Sequence, residues 1–336
     1  MIEIPNGKVL VTGANGFIGK SLCEEMLRQG WQVKAAMRTS IQMPEGIEVV
    51  EIENIDGDTD WKSALQEVAV IIHLAARVHV MQDDVENPLQ AYLKVNLHGT
   101  ENLAQQAARA GVKRFVFVST IKVNGEETDG HSRYTEQDLP TPQCPYSISK
   151  WQAEQVLHRI AQESDLQVVI IRPPLVYGPG VKGNFNHLLA AIDKGIPLPL
   201  AGAHNKRSLI YVGNLVSALI VCATHPVATG QTYLVSDGKD ISTAFLVKKI
   251  SEALGRANRS FYFPAMLLRI AASVLGRADQ IDRLFGALRI SDAKLRGELS
   301  WNAPYTFEQG LTVTAAWYRQ HLKQVTLATS NFPPKT

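Results

Sequence analysis

Cysteine is scarce in this 336-residue chain, where Cys23, Cys144 and Cys222 are the only three. An odd number with no metal-ligand spacing excludes a disulfide framework and a cysteine-held metal, fits a reducing compartment, and leaves none of the three looking catalytic. No run of lysine or arginine stands out, and a net charge of +2 with a pI near 8.3 gives no basic field for nucleic acid. Long apolar runs are missing too. The most apolar late stretch, Phe263 to Leu275, falls short of the ~20 residues that span a bilayer and carries Arg269. It reads as a packed helix of a second lobe, with a membrane-surface or partner-binding face as the alternative. The first strand begins within about ten residues of Met1, which leaves no room for a signal peptide, so the protein is expected in the cytoplasm. No internal repeat or low-complexity segment is present.

What is there is an ordinary soluble composition, 45% hydrophobic and 20% charged, long enough for a full α/β core and a second lobe. Two motifs carry the chemistry. The apolar run Val9-Leu10-Val11 leads into Gly13-Ala14-Asn15-Gly16-Phe17-Ile18-Gly19 and then a helical pattern from Ser21, the order of a strand, a phosphate-binding turn and a helix. Glycine there lets backbone approach a pyrophosphate, and the helix N-terminus supplies oriented N–H groups. Far downstream, Tyr146 and Lys150 stand four residues apart, on one face of a helix. A phenol titrates near pH ~10, and an ammonium beside it draws its pKa toward the working range of a proton donor or acceptor.

Between these motifs, β-branched runs alternate with helical patterns: Val33 to Ala36, Val49 to Ile52, Val70 to Leu74, Phe115 to Val118 and Val168 to Ile171. The pattern predicts a Rossmann-type doubly wound parallel sheet with a smaller, mainly helical substrate-binding lobe. Ser208 to Val212 and Thr232 to Val235 are two more strand candidates after an insertion, so the first domain is expected to be discontinuous. The division reads as 1–172 with 208–236 for the dinucleotide, 173–207 with 237–328 for the substrate, and a disordered tail at 329–336.

Six motifs together resemble the extended short-chain dehydrogenase/reductases: Gly13-x-x-Gly16-x-x-Gly19, His73-Leu74-Ala75-Ala76, Asn96 in Val95-Asn96-x-x-Gly99-Thr100, Ser119-Thr120, Tyr146-x-x-x-Lys150 and Arg172-Pro173-x-x-Val176-Tyr177-Gly178-Pro179. Within that superfamily the chain is similar to the sugar-nucleotide branch of UDP-galactose 4-epimerase, 4,6-dehydratases and 4-ketoreductases. Ile121-Lys122-Val123-Asn124-Gly125 and Leu234-Val235-Ser236-Asp237-Gly238 further resemble reductases that form UDP-N-acetylquinovosamine for bacterial surface polysaccharide. The resemblance implies that Thr120 bridges the reacting sugar oxygen and the Tyr146 phenol, that Lys150 also holds the nicotinamide ribose, and that Asn96 supports the site. It implies cofactor contacts along the glycine loop (Gly13, Asn15, Gly16, Phe17, Ile18, Gly19), at Asn54 and Ile55 beside the adenine, at Leu74, Ala75 and Ala76, and at Pro173. It implies a UDP-sugar substrate met by Arg207 at the diphosphate, with Asn184 and Lys122 as further contacts, and a homodimer paired through helices around 89–110 and 147–163. Alternatives stay open: Thr120 as a strand-end hydroxyl, Asn96 as a buried amide, Arg207 as a lobe-bridging ion pair, Asn184 as a helix N-cap, and Asn54 with Ile55 as a plain turn.

The 4,6-dehydratases place an Asp-Glu pair after the active-site Thr, where this chain has Ile121 and Lys122, so elimination of water lacks its acid and base. The residue that would accept the adenosine 2′-hydroxyl in an NAD enzyme is Met37, followed by Arg38, which favours NADP(H) with NAD(H) possible. Leu175 and Asn124 replace an asparagine and a tyrosine of the epimerases, and both changes are expected to alter the sugar pocket. The leading expectation is an NADPH-dependent 4-ketoreductase of a UDP-4-keto-6-deoxy-N-acetylhexosamine. The alternatives are a UDP-hexose or UDP-N-acetylhexosamine 4-epimerase with bound NAD, and a non-catalytic dinucleotide-binding scaffold; no metal is expected.

Overall fold

Seven of the β-branched runs become parallel strands in the computed structural model, which describes residues 7–39, 42–78, 87–129, 131–274 and 284–330. They are β1 (Lys8–Thr12), β2 (Val33–Met37), β3 (Ile47–Glu51), β4 (Val68–His73), β5 (Arg114–Val118), β6 (Gln167–Arg172) and β9 (Thr232–Leu234), in the order β3-β2-β1-β4-β5-β6-β9. Every pair is parallel, so all C-terminal ends open on one edge. The order reverses between β1 and β4, which creates the crevice where such sheets take their ligands.

Parallel strands are buried on both faces, and the side-chain period of two divides them between two cores. Val9 and Val11 enter one cluster with Leu22, Cys23 and Met26 of α1 (Phe17–Arg28) and Leu215 and Leu219 of α6 (Val212–Thr224). Leu10, Ile71, Phe115 and Phe117 enter the other, with Leu103 and Ala107 of α3 (Gly99–Arg109) and Ala153 and Leu157 of α4 (Pro145–Glu163). The cysteines Cys23 and Cys222 are simply core, their thiols pushed up to about 12 by burial. Helix α3 is preceded by α2 (Pro88–Leu93) and by one π turn over Lys94–His98, continuous with both.

The predicted strand Ser208 to Val212 departs from expectation. Its central residues form β8 (Leu209–Tyr211), which pairs with β7 (Leu175–Tyr177) in a separate two-stranded parallel sheet rather than joining the main one. The chain after the main sheet is helical: α5 (Gly183–Asp193), α7 (Thr243–Leu254), α8 (Ala265–Val274), α9 (Ala293–Leu299) and α10 (Phe307–Ser330). Helix α8 is not packed as expected, since Met266, Leu267 and Ile270 stand exposed. The expected tail overlaps α10 at 329 and 330, and 331–336 lie outside the described residues.

Glycine at 19 is dictated by how α1 meets the turn before it. A Cβ there would lie 2.7 Å from the Ala14 Cα and press on the Gly13 carbonyl, all backbone that has no side chain to move aside. Gly19→Ala is expected to cost about 1–3 kcal/mol by overpacking. Chemical denaturation of the two proteins checks this; equal midpoints would mean that α1 does not approach the turn this closely.

Candidate active site

The C-terminal edge of the sheet gathers most of the residues singled out by the motifs. After β1, Gly13 adopts φ +66° and a Cβ on it would sit 2.9 Å from the Ala75 amide, so this turn and the loop after β4 run backbone to backbone. The Gly16 amide donates to the Gly13 carbonyl (2.9 Å), and Gly16 starts α1 with no side-chain cap. The leading N–H groups of α1 are therefore not taken by a capping side chain and suit an anion such as a pyrophosphate. Asn15 is exposed, while Phe17 and Ile18 are half-buried, with Gly180 of the loop after β7 close to the Phe17 ring. Arg38 follows β2, exposed and without an ion pair among the described residues. Asn54 is exposed after β3 and its carbonyl accepts from the Thr59 hydroxyl (3.0 Å), so it is built into a turn. Ile55 packs on Gly99 at the start of α3.

After β5, Thr120 is 8% exposed and its Oγ1 accepts from the Lys122 amide (3.3 Å), starting a single 3₁₀ turn at Ile121–Val123. Pro173, after β6, is buried and its carbonyl accepts from the Ile121 amide (3.0 Å), which ties the two strand ends together. Lys122 is committed to Glu126, at 2.9 Å to both carboxylate oxygens.

Helix α4 brings Tyr146 and Lys150 to this edge. Pro145 opens the helix, and the Ser147 side chain accepts from the Cys144 amide (3.1 Å) in a capping box. Lys150 is 1% exposed, its Nζ 4.0 Å from the Phe117 ring centroid. Burial pulls its pKa down to about 7, against the opposing pull of Glu154. Contrary to the expectation that the Lys150 ammonium draws it down, the Tyr146 phenol is raised above its ordinary range by burial, with Cys144 and Tyr92 adding to the rise. The Tyr146 ring stands edge-on to Tyr92, centroids 6.1 Å apart.

Below the edge lies a buried polar layer of which the sequence reading nominated only Asn96 as a site residue. Thr12 Oγ1 meets His73 Nδ1 at 2.7 Å, His73 Nε2 meets Thr100 Oγ1 at 3.0 Å, and Thr100 donates to the Asn96 carbonyl (2.8 Å). The single Thr100 hydroxyl hydrogen is thereby used, so His73 must donate from Nε2 and accept at Nδ1 from Thr12, whose oxygen takes the Ala75 amide (3.2 Å). The Asn96 amide in turn exchanges both hydrogen bonds with the Arg77 backbone (2.8 and 3.0 Å) and donates to Ser149 Oγ on α4 (3.0 Å). Asn96 therefore acts as a clamp between the β4 loop and the Tyr146 helix. Glu154, four residues beyond Lys150 and fully buried, holds Arg172 (2.5 and 3.1 Å) and takes the Ser119 hydroxyl. The i to i+4 step from Lys150 and the paired Arg172 were visible signals for Glu154; His73 was in view as the first residue of its motif.

Two expectations are corrected. Asn124 does not face a sugar pocket: it is fully buried, accepts from Arg172 Nη1 (2.9 Å) and donates to the Thr135 carbonyl (3.1 Å). Asn184 is no N-cap, because α5 is capped at Lys182, and Asn184 stands exposed on its first turn. Leu175 is exposed, at 45%. Arg207 has its backbone bridged to Ile241 and Leu288, and its Nη1 donates to the Gly286 carbonyl (2.9 Å).

A glycine turn at the switch point of a seven-stranded parallel sheet defines a Rossmann-type dinucleotide-binding protein. The comparisons narrow the class. Residues 9–236 match the NAD dependent epimerase/dehydratase family. A UDP-glucose 4-epimerase of Vibrio cholerae is 40% identical over 314 residues, covering 93% of this chain and 95% of that one. Among solved structures, MoeE5 in complex with UDP-glucose and NAD superposes with a TM-score of 0.76 at 26% identity, covering 94% of this chain and all of that one. The Thermus thermophilus UDP-glucose 4-epimerase complex with NAD gives 0.74 at 26% identity, covering 93% and 99%. The chain belongs to the NAD dependent epimerase/dehydratase family, the sugar-nucleotide branch of the extended short-chain dehydrogenase/reductases, and is an enzyme of that family.

His73 gives a pH signature. An unfolded histidine takes up a proton below about 6.5, whereas burial, aided by the Lys150 charge, holds folded His73 neutral down to about 3. In that window the unfolded state binds more protons, so stability falls as pH falls. The expected contribution is about 2 kcal/mol lost between about pH 7 and 5. Denaturant titrations should show a flatter pH dependence for His73→Gln; an unchanged slope would place the imidazole in a solvated setting.

Proposed function

We propose that this chain is an NADP(H)-dependent oxidoreductase acting at C4 of a UDP-sugar, a 4-ketoreductase of a UDP-4-keto-6-deoxy-N-acetylhexosamine. Arg38 carries the reading. At the end of β2, where an NAD enzyme presents a carboxylate to the adenosine 2′-hydroxyl, this chain presents Met37 and an exposed guanidinium without an ion pair among the described residues. A fork of N–H donors suits a 2′-phosphate, and net reduction consumes a reduced cofactor.

The pyrophosphate would rest on Gly13, Asn15, Gly16, Phe17, Ile18 and Gly19, the adenine beside Arg38, Asn54 and Ile55, and the nicotinamide end against Leu74, Ala75, Ala76 and Pro173. A dinucleotide held there would supply hydride chemistry. Tyr146 hands its phenolic proton to the C4 oxygen as negative charge develops there, and the Lys150 ammonium stabilises the phenolate left behind. The Thr120 hydroxyl orients the same oxygen. Burial raises the Tyr146 phenol above its ordinary range, so it stands protonated before it donates. Ile121 is buried and apolar and Lys122 is paired with Glu126, so neither supplies the acid and base of a 4,6-dehydration. Arg207 would meet the diphosphate, with Asn184 and Lys122 as further substrate contacts. A homodimer would pair α3 and α4 across a twofold axis, and the lobes would divide at 172 and 208 and again near 236.

The second reading is a UDP-hexose 4-epimerase that keeps NAD bound, favoured by the 40% identical Vibrio cholerae relative of that name and by the NAD complexes of solved relatives. The deciding assay follows NADPH absorbance after mixing the protein with UDP-4-keto-6-deoxy-N-acetylglucosamine made in place by a 4,6-dehydratase. Stoichiometric oxidation with a matching deoxysugar is expected, and Tyr146→Phe should lower its rate by about 10²–10⁴. No oxidation, in protein that carries NAD and interconverts UDP-sugars at C4, would make it an epimerase. Full biological activity of Tyr146→Phe would leave a non-catalytic scaffold.

A further inference from the structure

Six large apolar side chains crowd the surface of one ten-residue stretch, Phe261, Tyr262, Phe263, Met266, Leu267 and Ile270, with Tyr262 73% and Met266 74% exposed. The stretch is anchored and not frayed. Phe261 donates to the Leu198 carbonyl (2.9 Å) and accepts from the Ala201 amide (3.1 Å), and the Tyr262 ring lies over Gly202, where a Cβ would come within 2.9 Å. Helix α8 then carries Met266, Leu267 and Ile270 outward while Leu268 is half-buried. A patch of this kind marks a docking surface.

Charge identifies the occupant. Residues 255–274 hold Arg256, Arg259 and Arg269 and no carboxylate. Arg256 is moored to Asp193 (3.0 Å) and Arg259 to the Gly195 carbonyl (3.2 Å), both still exposed, with Lys194 exposed between those two anchors. Among the described residues the apolar face is thus bordered by Arg256, Arg259 and Lys194, with Asp193 beside them. The ten described residues of α8 make about 15 Å, half the hydrocarbon thickness of a bilayer, and no helix among the described residues is long and apolar enough to cross a membrane. Apolar and aromatic side chains on one side with arginine at the rim are what an interfacial helix presents to anionic headgroups.

We propose that the surface formed by Phe261 to Phe263 and α8 docks on an anionic bilayer, with α8 in the plane of the headgroups. This holds whichever reaction the sheet edge performs, and it would set that reaction beside acceptors held in the membrane.

The test is sedimentation of the full chain with vesicles of phosphatidylcholine alone or mixed with phosphatidylglycerol. Binding to the anionic vesicles is expected, roughly tenfold or more weaker on neutral vesicles or in about 1 M salt. A Met266→Ser, Leu267→Ser, Ile270→Ser variant should lose the binding while keeping its melting temperature and cofactor affinity. A Lys194→Gln, Arg259→Gln variant, which leaves the apolar face intact, should bind anionic vesicles several-fold more weakly. Absence of binding to both vesicles, or equal binding to both, overturns the proposal. So does a triple variant that turns a dimer into a monomer without vesicle binding by the parent, since a second copy of the chain would then cover the patch.

Discussion

The buried ion pair between Glu154 and Arg172 decides where helix α4 meets the sheet. Arg172 ends β6, Glu154 sits one turn past Lys150, and the Ser119 hydroxyl at the end of β5 joins the same carboxylate. Three elements are locked at one point, and the two that carry Thr120 and Tyr146 are among them. Such a pair contributes little net stability, because desolvation consumes most of the Coulombic gain, but removing either partner strands a charge in the interior. Its effect is on geometry: Thr120 and Tyr146 keep one register because α4 cannot slide without breaking it.

A second buried layer carries the constraint across the crevice. From the Ala75 amide through Thr12, His73 and Thr100 to Asn96, each donor has one acceptor and each hydroxyl one hydrogen to give, so the chain of bonds has a single polarity. Asn96 then reaches Ser149 on α4. The glycine turn, the β4 loop and the Tyr146 helix are thereby joined below the surface on which a dinucleotide would lie. Burial of Lys150 at the Phe117 ring pulls its pKa to about 7, so its charge responds to whatever is brought beside it.

The sheet was legible because parallel strands buried on both faces show as apolar runs, and these come within two residues of the observed strands. The glycine turn and Tyr146 with Lys150 were legible because their spacing is set by local geometry. Ser208 to Val212 misled because the run records burial and not its partner, and β8 is as buried beside β7 as it would be in the main sheet. Asn124 misled for a related reason: an amide reads as a pocket residue until a buried guanidinium is seen to need it. Asn96 reads alike as a support or a buried amide, and its clamp depends on partners, the Arg77 backbone and Ser149, that lie 19 and 53 residues away in the chain. Helix α8 has the composition of a core helix, and only its position shows that the apolar face is outward.

The hydride transfer proposed between a nicotinamide cofactor and sugar C4 carries the functional reading. It is tested most directly by supplying NADPH deuterated at C4 of the nicotinamide with the 4-keto sugar nucleotide and reading the product by mass spectrometry and NMR. One deuterium at sugar C4 per cofactor oxidised is the expected result. A product free of label, with deuterium retained in the added NADPH, would contradict it and would indicate hydride returned from a cofactor that never leaves the protein.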